Sequence, residues 1–192
     1  MNSDIVLPTV DQVFEFPFVK KRTEEENSLN PIERMQNLLQ GPWFRPATER
    51  VYWGAAGVRI TAFQMLAANV VLVVQFGNGN VVIGLFGVAT CDFPSMASPV
   101  KFAHAELGII CTYYVNSGTF KIEAQLSPRS FVLAPQCHLT GGLALYAWFK
   151  SDLAANVKAG DWVLTIGGYH KAFHPPRQYP IPPRLGMKTA IT

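Results

Sequence analysis

Residues 120–126 carry the cleanest pattern in the chain. Phe120, Ile122, Ala124 and Leu126 alternate with Lys121, Glu123 and Gln125, a period of two that predicts a strand with one buried and one wet face. Leu143, Leu145, Ala147 and Phe149 repeat the period opposite Tyr146 and Trp148, and Trp162, Leu164 and Ile166 form the last such run. Upstream, Val58–Leu66 and Val70–Phe76 read as strands separated by Ala67-Ala68-Asn69. Gly77-Asn78-Gly79-Asn80 then turns the chain into Val81–Val88, a hairpin signature. Lys101–Val115 reads as a long strand ended by Asn116-Ser117-Gly118. Roughly seven strands, each about one turn signal apart, predict a mainly β protein of antiparallel sheets, as a sandwich or a curved extended sheet.

The period changes in the first 50 residues. Asn30-Pro31-Ile32-Glu33 is a helix start, with Asn30 as cap, proline at the first position and glutamate at the third. Ile32, Met35 and Leu39 share one face and Gly41-Pro42 ends the element, so a short helix is expected over about 31–40. It is expected to dock on the body through those three residues and Trp43. Lys20-Lys21-Arg22 and Glu24-Glu25-Glu26 read as a solvated charge run. Residues 1–50 hold 14 charged residues and residues 51–149 only seven, which separates a charged arm, 1–50, from a β domain, 51–192.

Charge then narrows the partners. The net charge is +3, and Lys171, Arg177, Arg184 and Lys188 are spread through an acid-free tail, too thin a basic surface to expect nucleic acid. No charged residue lies between Arg59 and Asp92, but Gln64, Asn69, Gln75 and the Gly-Asn-Gly-Asn turn interrupt the apolar run below the length of a membrane helix. Strands buried on both faces, or stacked on an adjoining sheet or protomer, are expected there instead. Cys91, Cys111 and Cys137 are odd in number and widely spaced, so no disulfide framework is implied. The first residues show no basic-then-apolar secretory signal, which leaves a cytoplasmic location as the default.

The richest stretch for chemistry is Gly167–Gly186. Its prolines remove backbone donors and restrict their predecessors, which predicts an extended strap rather than helix or central strand. The candidate binding residues are here: Tyr169, His170, His174, Arg177, Tyr179 and Arg184. Tyr169, Phe173, Tyr179 and Leu185 are expected to lie across the sheet. The spacing of His170 and His174 suits zinc, with Cys137-His138 as possible completing ligands. Pro175-Pro176 denies them a shared helical face, however, and backbone hydrogen bonding is the favoured role. His104-Ala105-Glu106 resembles the histidine–glutamate element of zinc deaminases. Without the second cysteine pair, an edge or outward pair on a strand is the favoured reading. No nucleophile elbow, phosphate loop or dinucleotide fingerprint is present. Neither a cofactor nor a catalytic residue is expected.

Three strings carry a family likeness: Cys137-His138-Leu139-Thr140-Gly141-Gly142 with Tyr146-Ala147-Trp148-Phe149, then Gly160–His170, then Pro175-Pro176, Tyr179-Pro180 and Pro183-Arg184-Leu185-Gly186. They resemble domain of unknown function family 6603, found in long β-rich bacterial and fungal proteins. The likeness runs from about Gly57 to Gly186, and residues 1–50 add nothing to it. It implies a piece of an extended β assembly and supplies no activity, cofactor or catalytic residue. The leading expectation is a non-enzymatic structural or interaction module that pairs with itself or with neighbouring β modules. A module for an apolar or amphipathic ligand such as a lipid is the alternative. A metal-dependent hydrolase using His170, His174 and Cys137 is the second.

Overall fold

The computed structural model describes residues 3–20, 23, 26, 28–46 and 50–189. Twelve strands follow in order: β1 (Ser3–Ile5), β2 (Phe44–Pro46), β3 (Val51–Ala62), β4 (Leu66–Gly77), β5 (Asn80–Phe93), β6 (Ala103–Tyr114), β7 (Thr119–Leu126), β8 (Phe131–Val132), β9 (Ala134–Thr140), β10 (Gly142–Trp148), β11 (Trp162–Ile166) and β12 (Gly186–Thr189). The main sheet is antiparallel in the order β11-β10-β7-β6-β5-β4-β3. Where β7 ends, β8 continues the pairing along β6 and leads to β9, which pairs with β12. Among the described strands neither β3 nor β11 finds a second neighbour, so the sheet is open. Mainly β, antiparallel and extended is therefore the architecture.

Register assigns every residue of the main sheet to one of two faces, because directly paired residues point the same way. On one face Ala55, Val73, Gly84 and Thr112 form a row, followed by Gly57, Val71, Phe86 and Ile110. Residues 3–20 lie over this face. Ile5, Val13, Phe16 and Val19 are buried with Val71, Val73, Phe86 and Ile110 in one core, and Trp43, Phe44 and Trp53 pack against it. The Phe16 ring meets Phe18, Trp43 and Phe86 edge-on, at centroid separations of 5.3, 5.2 and 5.4 Å, the geometry aromatic quadrupoles favour. Gly108 lets the segment sit down. A Cβ there would lie 2.6 Å from Val13 Cγ1 and 2.7 Å from the Phe14 ring. The arm reading of residues 1–50 is thus corrected for 3–20 and 43–44, which supply half of the core.

The second face carries Tyr52, Val58, Ile60, Leu66, Leu72, Phe76, Ile83, Leu85, Leu143, Leu164 and Ile166, all exposed. It has no charge. Arg59, Asp92, His104, Glu106, Lys121 and Glu123, the acidic, basic and histidine strand residues of β3–β7, all fall on the covered face by register.

Helix α1 spans Pro31–Gln40 with the expected cap: the Asn30 side chain accepts from the Ile32 and Glu33 amides at 3.0 and 2.9 Å. Its docking differs from expectation. Ile32 and Met35 are 71% and 62% exposed, and only Trp43, beyond the helix, reaches the core. In the charge run, Lys21, Arg22, Glu24 and Glu25 lie outside the described residues; Lys20 sits 3.7 Å from Glu15 and 3.8 Å from Glu26.

Candidate functional site

The segment over the covered face does not reach its far end. Val19 ends it over the row Arg59, Asn69, Val88 and Gly108, its carbonyl accepting from the Asn69 side chain, and the rows continue as Ala67, Thr90 and Glu106, then Asp92 and His104. Arg59, Ala67, Asn69, Val88, Thr90, Asp92, His104 and Glu106, with Phe14, Phe18, Lys20, Met96, Lys101 and Arg129, line a cleft of about 840 Å³, within the range of small-molecule sites.

Two buried acids organise it, each held by a cation. Asp92 accepts from Lys101 Nζ at 2.7 Å, and its other oxygen meets His104 Nδ1 at 2.6 Å. Glu106 takes Arg129 in a two-point fork, from Nε and Nη2, both at 2.9 Å. The fork fixes the guanidinium direction as well as its position. Glu106 lies in the gap on β6 between the last rung of β7, at Leu107, and the first of β8, at His104. The fully buried Ser130 fills that gap: its hydroxyl accepts from the Glu106 amide and donates to the Glu106 carbonyl, so no buried backbone group of Glu106 is orphaned.

Burial alone pushes the Asp92 carboxyl up, but hydrogen bonds and charge from Lys101 and His104 outweigh it and hold it below its ordinary 3.8. A depressed folded value means the stabilisation is complete above that ordinary value and is lost as pH falls through the depressed one. Asp92→Asn is expected to cost roughly 1–3 kcal/mol at pH 7. It is also expected to flatten the fall of unfolding free energy below about pH 4, read by urea denaturation from pH 6 to pH 3. An unchanged acid limb in the variant would contradict the assignment.

His104 and Glu106, two residues apart on a strand, were expected to form an edge or outward pair. The correction follows from the topology: β6 is central, and both side chains face the cleft. They share no metal set, since among the described residues no three His, Cys, Asp or Glu side chains stand together as ligands. Thr90, the hydroxyl residue of the lining, donates its hydroxyl to the Ala67 carbonyl.

The strap residues lie elsewhere. Gly167 and Gly168 take left-handed φ of 70° and 74° and lead out of β11. The Tyr169 hydroxyl accepts from Thr165 Oγ1 at 2.6 Å, and Arg184 donates to the Tyr169 carbonyl. His170 is exposed and takes the Ala172 amide on Nδ1. His174 and Arg177 are exposed, and Tyr179 is half-buried. These six residues do not line the cleft. Pro180, Pro182 and Pro183 contact the sheet over Ala144 and Gly142, and Leu185 abuts Gly141 and Gly167 at the strand ends. Phe173 and Leu185, expected across the sheet, are 50% and 65% exposed.

The sequence reading picked out His104 and Glu106 but not the cleft they belong to, because its lining is scattered from residue 14 to residue 129. Its one signal was scarcity: in a nearly charge-free domain, Asp92, His104 and Glu106 fall on one face of adjacent strands.

No curated protein and no solved structure matches the chain. The family model that does match spans residues 1–192. That extends the likeness beyond Gly57–Gly186 and corrects the reading that residues 1–50 add nothing, in keeping with their place in the core. The chain belongs, over its whole length, to the family of unknown function DUF6603.

Proposed function

We propose that the protein is a non-enzymatic interaction module whose open sheet face stacks on the same face of a second copy. The observation that carries this is the charge-free face running across β3, β4, β5, β6, β7, β10 and β11. Strand spacings of about 4.8 Å and rises of about 3.3 Å per residue give it a footprint of roughly 1,000 Å². A stable interface needs about 800 Å² per partner, and single apolar patches on monomers run to about 300–600 Å². A face without charge meets its own copy with no like-charge repulsion, which a charged face would suffer around a two-fold axis. Aligned sheets pack about 10 Å apart through such faces.

Leu72 and Leu85 are paired near the middle of the face. Sedimentation velocity from about 1 to 100 μM, a range spanning ordinary interface affinities, is expected to show a dimer. Leu85→Lys is expected to make it monomeric with unchanged circular dichroism, since burying an unpaired ammonium costs several kcal/mol. A wild-type monomer throughout that range overturns self-stacking. A monomer that co-sediments with a separate β-rich chain assigns the face to a neighbouring module instead. The lipid reading has less support on this face, which is bare rather than enclosing.

A further inference from the structure

We propose that the cleft at the far end of the covered face binds an amphipathic oxyanion, a carboxylate or phosphate carried on a short apolar body. This goes beyond the stacking reading and does not depend on it, since the cleft and the bare face lie on opposite sides of the sheet.

The cleft has spare donors, and each of its three acids faces a cation, Glu15 lying 3.7 Å from Lys20 at the rim. Asp92 is bound by Lys101 and His104, and Glu106 by both prongs of Arg129. The cations are not used up. An ammonium has three N–H groups and a guanidinium five, so Lys101 and Arg129 keep donors beyond those given to the acids. Arg59 makes no ion pair or side-chain hydrogen bond among the described residues and lines the same cleft. His104 is bonded through Nδ1 alone. Its Nε2 makes no hydrogen bond among the described residues and lies at the same cleft. Four permanent cations, Lys20, Arg59, Lys101 and Arg129, stand against three acids in the lining, and their uncommitted donors select an oxyanion over a neutral or cationic group.

The remaining wall sets the rest of the ligand. Phe14, Phe18 and Val19 from the overlying segment, with Val88 and Met96, supply its apolar lining. Small-molecule sites combine such an apolar lining with a few placed polar groups. An inorganic anion would leave most of the 840 Å³ to water, whereas a ligand with an apolar body uses both surfaces.

The test is calorimetric titration of the full chain, and of its Leu85→Lys variant, with octanoate, octyl phosphate, 1-octanol and inorganic phosphate. Octanoate, octyl phosphate or both are expected to bind at one site per chain, in the variant as in the wild type. Whichever binds more tightly identifies the source of the oxyanion. Octanol is expected to bind at least about tenfold more weakly, and Arg59→Gln to weaken the anion by about 10- to 100-fold, the value of a charged hydrogen bond. Arg59 is exposed and unpaired among the described residues, so its urea midpoint is expected to stay put. The proposal is overturned by equal binding of octanol and octanoate, by Arg59→Gln without loss, by inorganic phosphate matching octyl phosphate, or by no binding of either anion at about 1 mM. Failure in this titration leaves the sedimentation result standing, so the two readings fail separately.

Discussion

A chain lacking residues 1–20 is expected to show no cooperative unfolding transition and to aggregate. Ile5, Val13, Phe16 and Val19 are between 0% and 3% exposed. Burial of each such side chain stabilises by about 1.5–3 kcal/mol, so four together rival the about 5–15 kcal/mol by which a domain is stable at all. The loss is doubled in kind because Val71, Val73, Phe86 and Ile110 then lose their cover. The sheet would be left with two bare faces, the state in which exposed strands pair with other chains. Near-ultraviolet circular dichroism and urea titration of the truncated chain decide the matter. A sigmoidal transition near the full-length midpoint would mean that the segment is an appendage after all.

The reason this dependence was hard to see in sequence lies in the composition of the segment. In Val13-Phe14-Glu15-Phe16-Pro17-Phe18-Val19 the alternation of Phe14, Phe16 and Phe18 with Glu15 and Pro17 does not correspond to a strand, because the segment covers the sheet as a 3₁₀ turn and irregular backbone, placing Val13, Phe16 and Val19 inward. Charge nearby drew it into an arm. Regular elements were legible where charge marks a face: β7 announces itself through Lys121 and Glu123, and α1 through its cap and Pro31. The turn between β3 and β4 was misplaced at Ala67-Ala68-Asn69. It falls at Phe63-Gln64, which both take φ of 55°, a conformation that glycine or asparagine normally signals. Ala67 and Asn69 instead pair with β3 on one side and β5 on the other. The short strands β8, β9 and β12 are fixed by long-range pairing, which no local pattern encodes.

The same limit hid the candidate site. A cluster such as Asp92, Lys101, His104, Glu106 and Arg129 exists only through the register of β5 with β6 and the return of the chain at Ser127–Ser130. Proline and histidine density at the strap was visible, whereas register was not. What the low charge of residues 51–149 did disclose was the bare face, since strands without ionisable residues must be covered from both sides or stacked on something.

The sidedness of the sheet has its sharpest consequence in a pair of truncations. Phe86→Ala is expected to destabilise the protein by about 3–5 kcal/mol, and Leu72→Ala by under about 1 kcal/mol in dilute solution. The side chains stand one register step apart, Phe86 opposite Val71 and Leu72 opposite Leu85, on adjacent strands that are each paired on both sides. Only their faces differ. Phe86 is 0% exposed beneath Phe16, and its removal leaves a cavity that neither the paired strands nor the overlying segment can collapse to fill. Leu72 is 42% exposed and gives up surface that water already reaches. Concentration then separates monomer stability from stacking. If the bare face is covered by a second copy, the Leu72→Ala penalty grows with protein concentration because dimerisation adds to stability by mass action, while the Phe86→Ala penalty includes a core loss present at every concentration. Equal penalties at about 1 μM would mean that Leu72 is buried in the monomer by contacts the described residues do not make, and a Leu72→Ala penalty independent of concentration up to about 100 μM would detach that face from self-association.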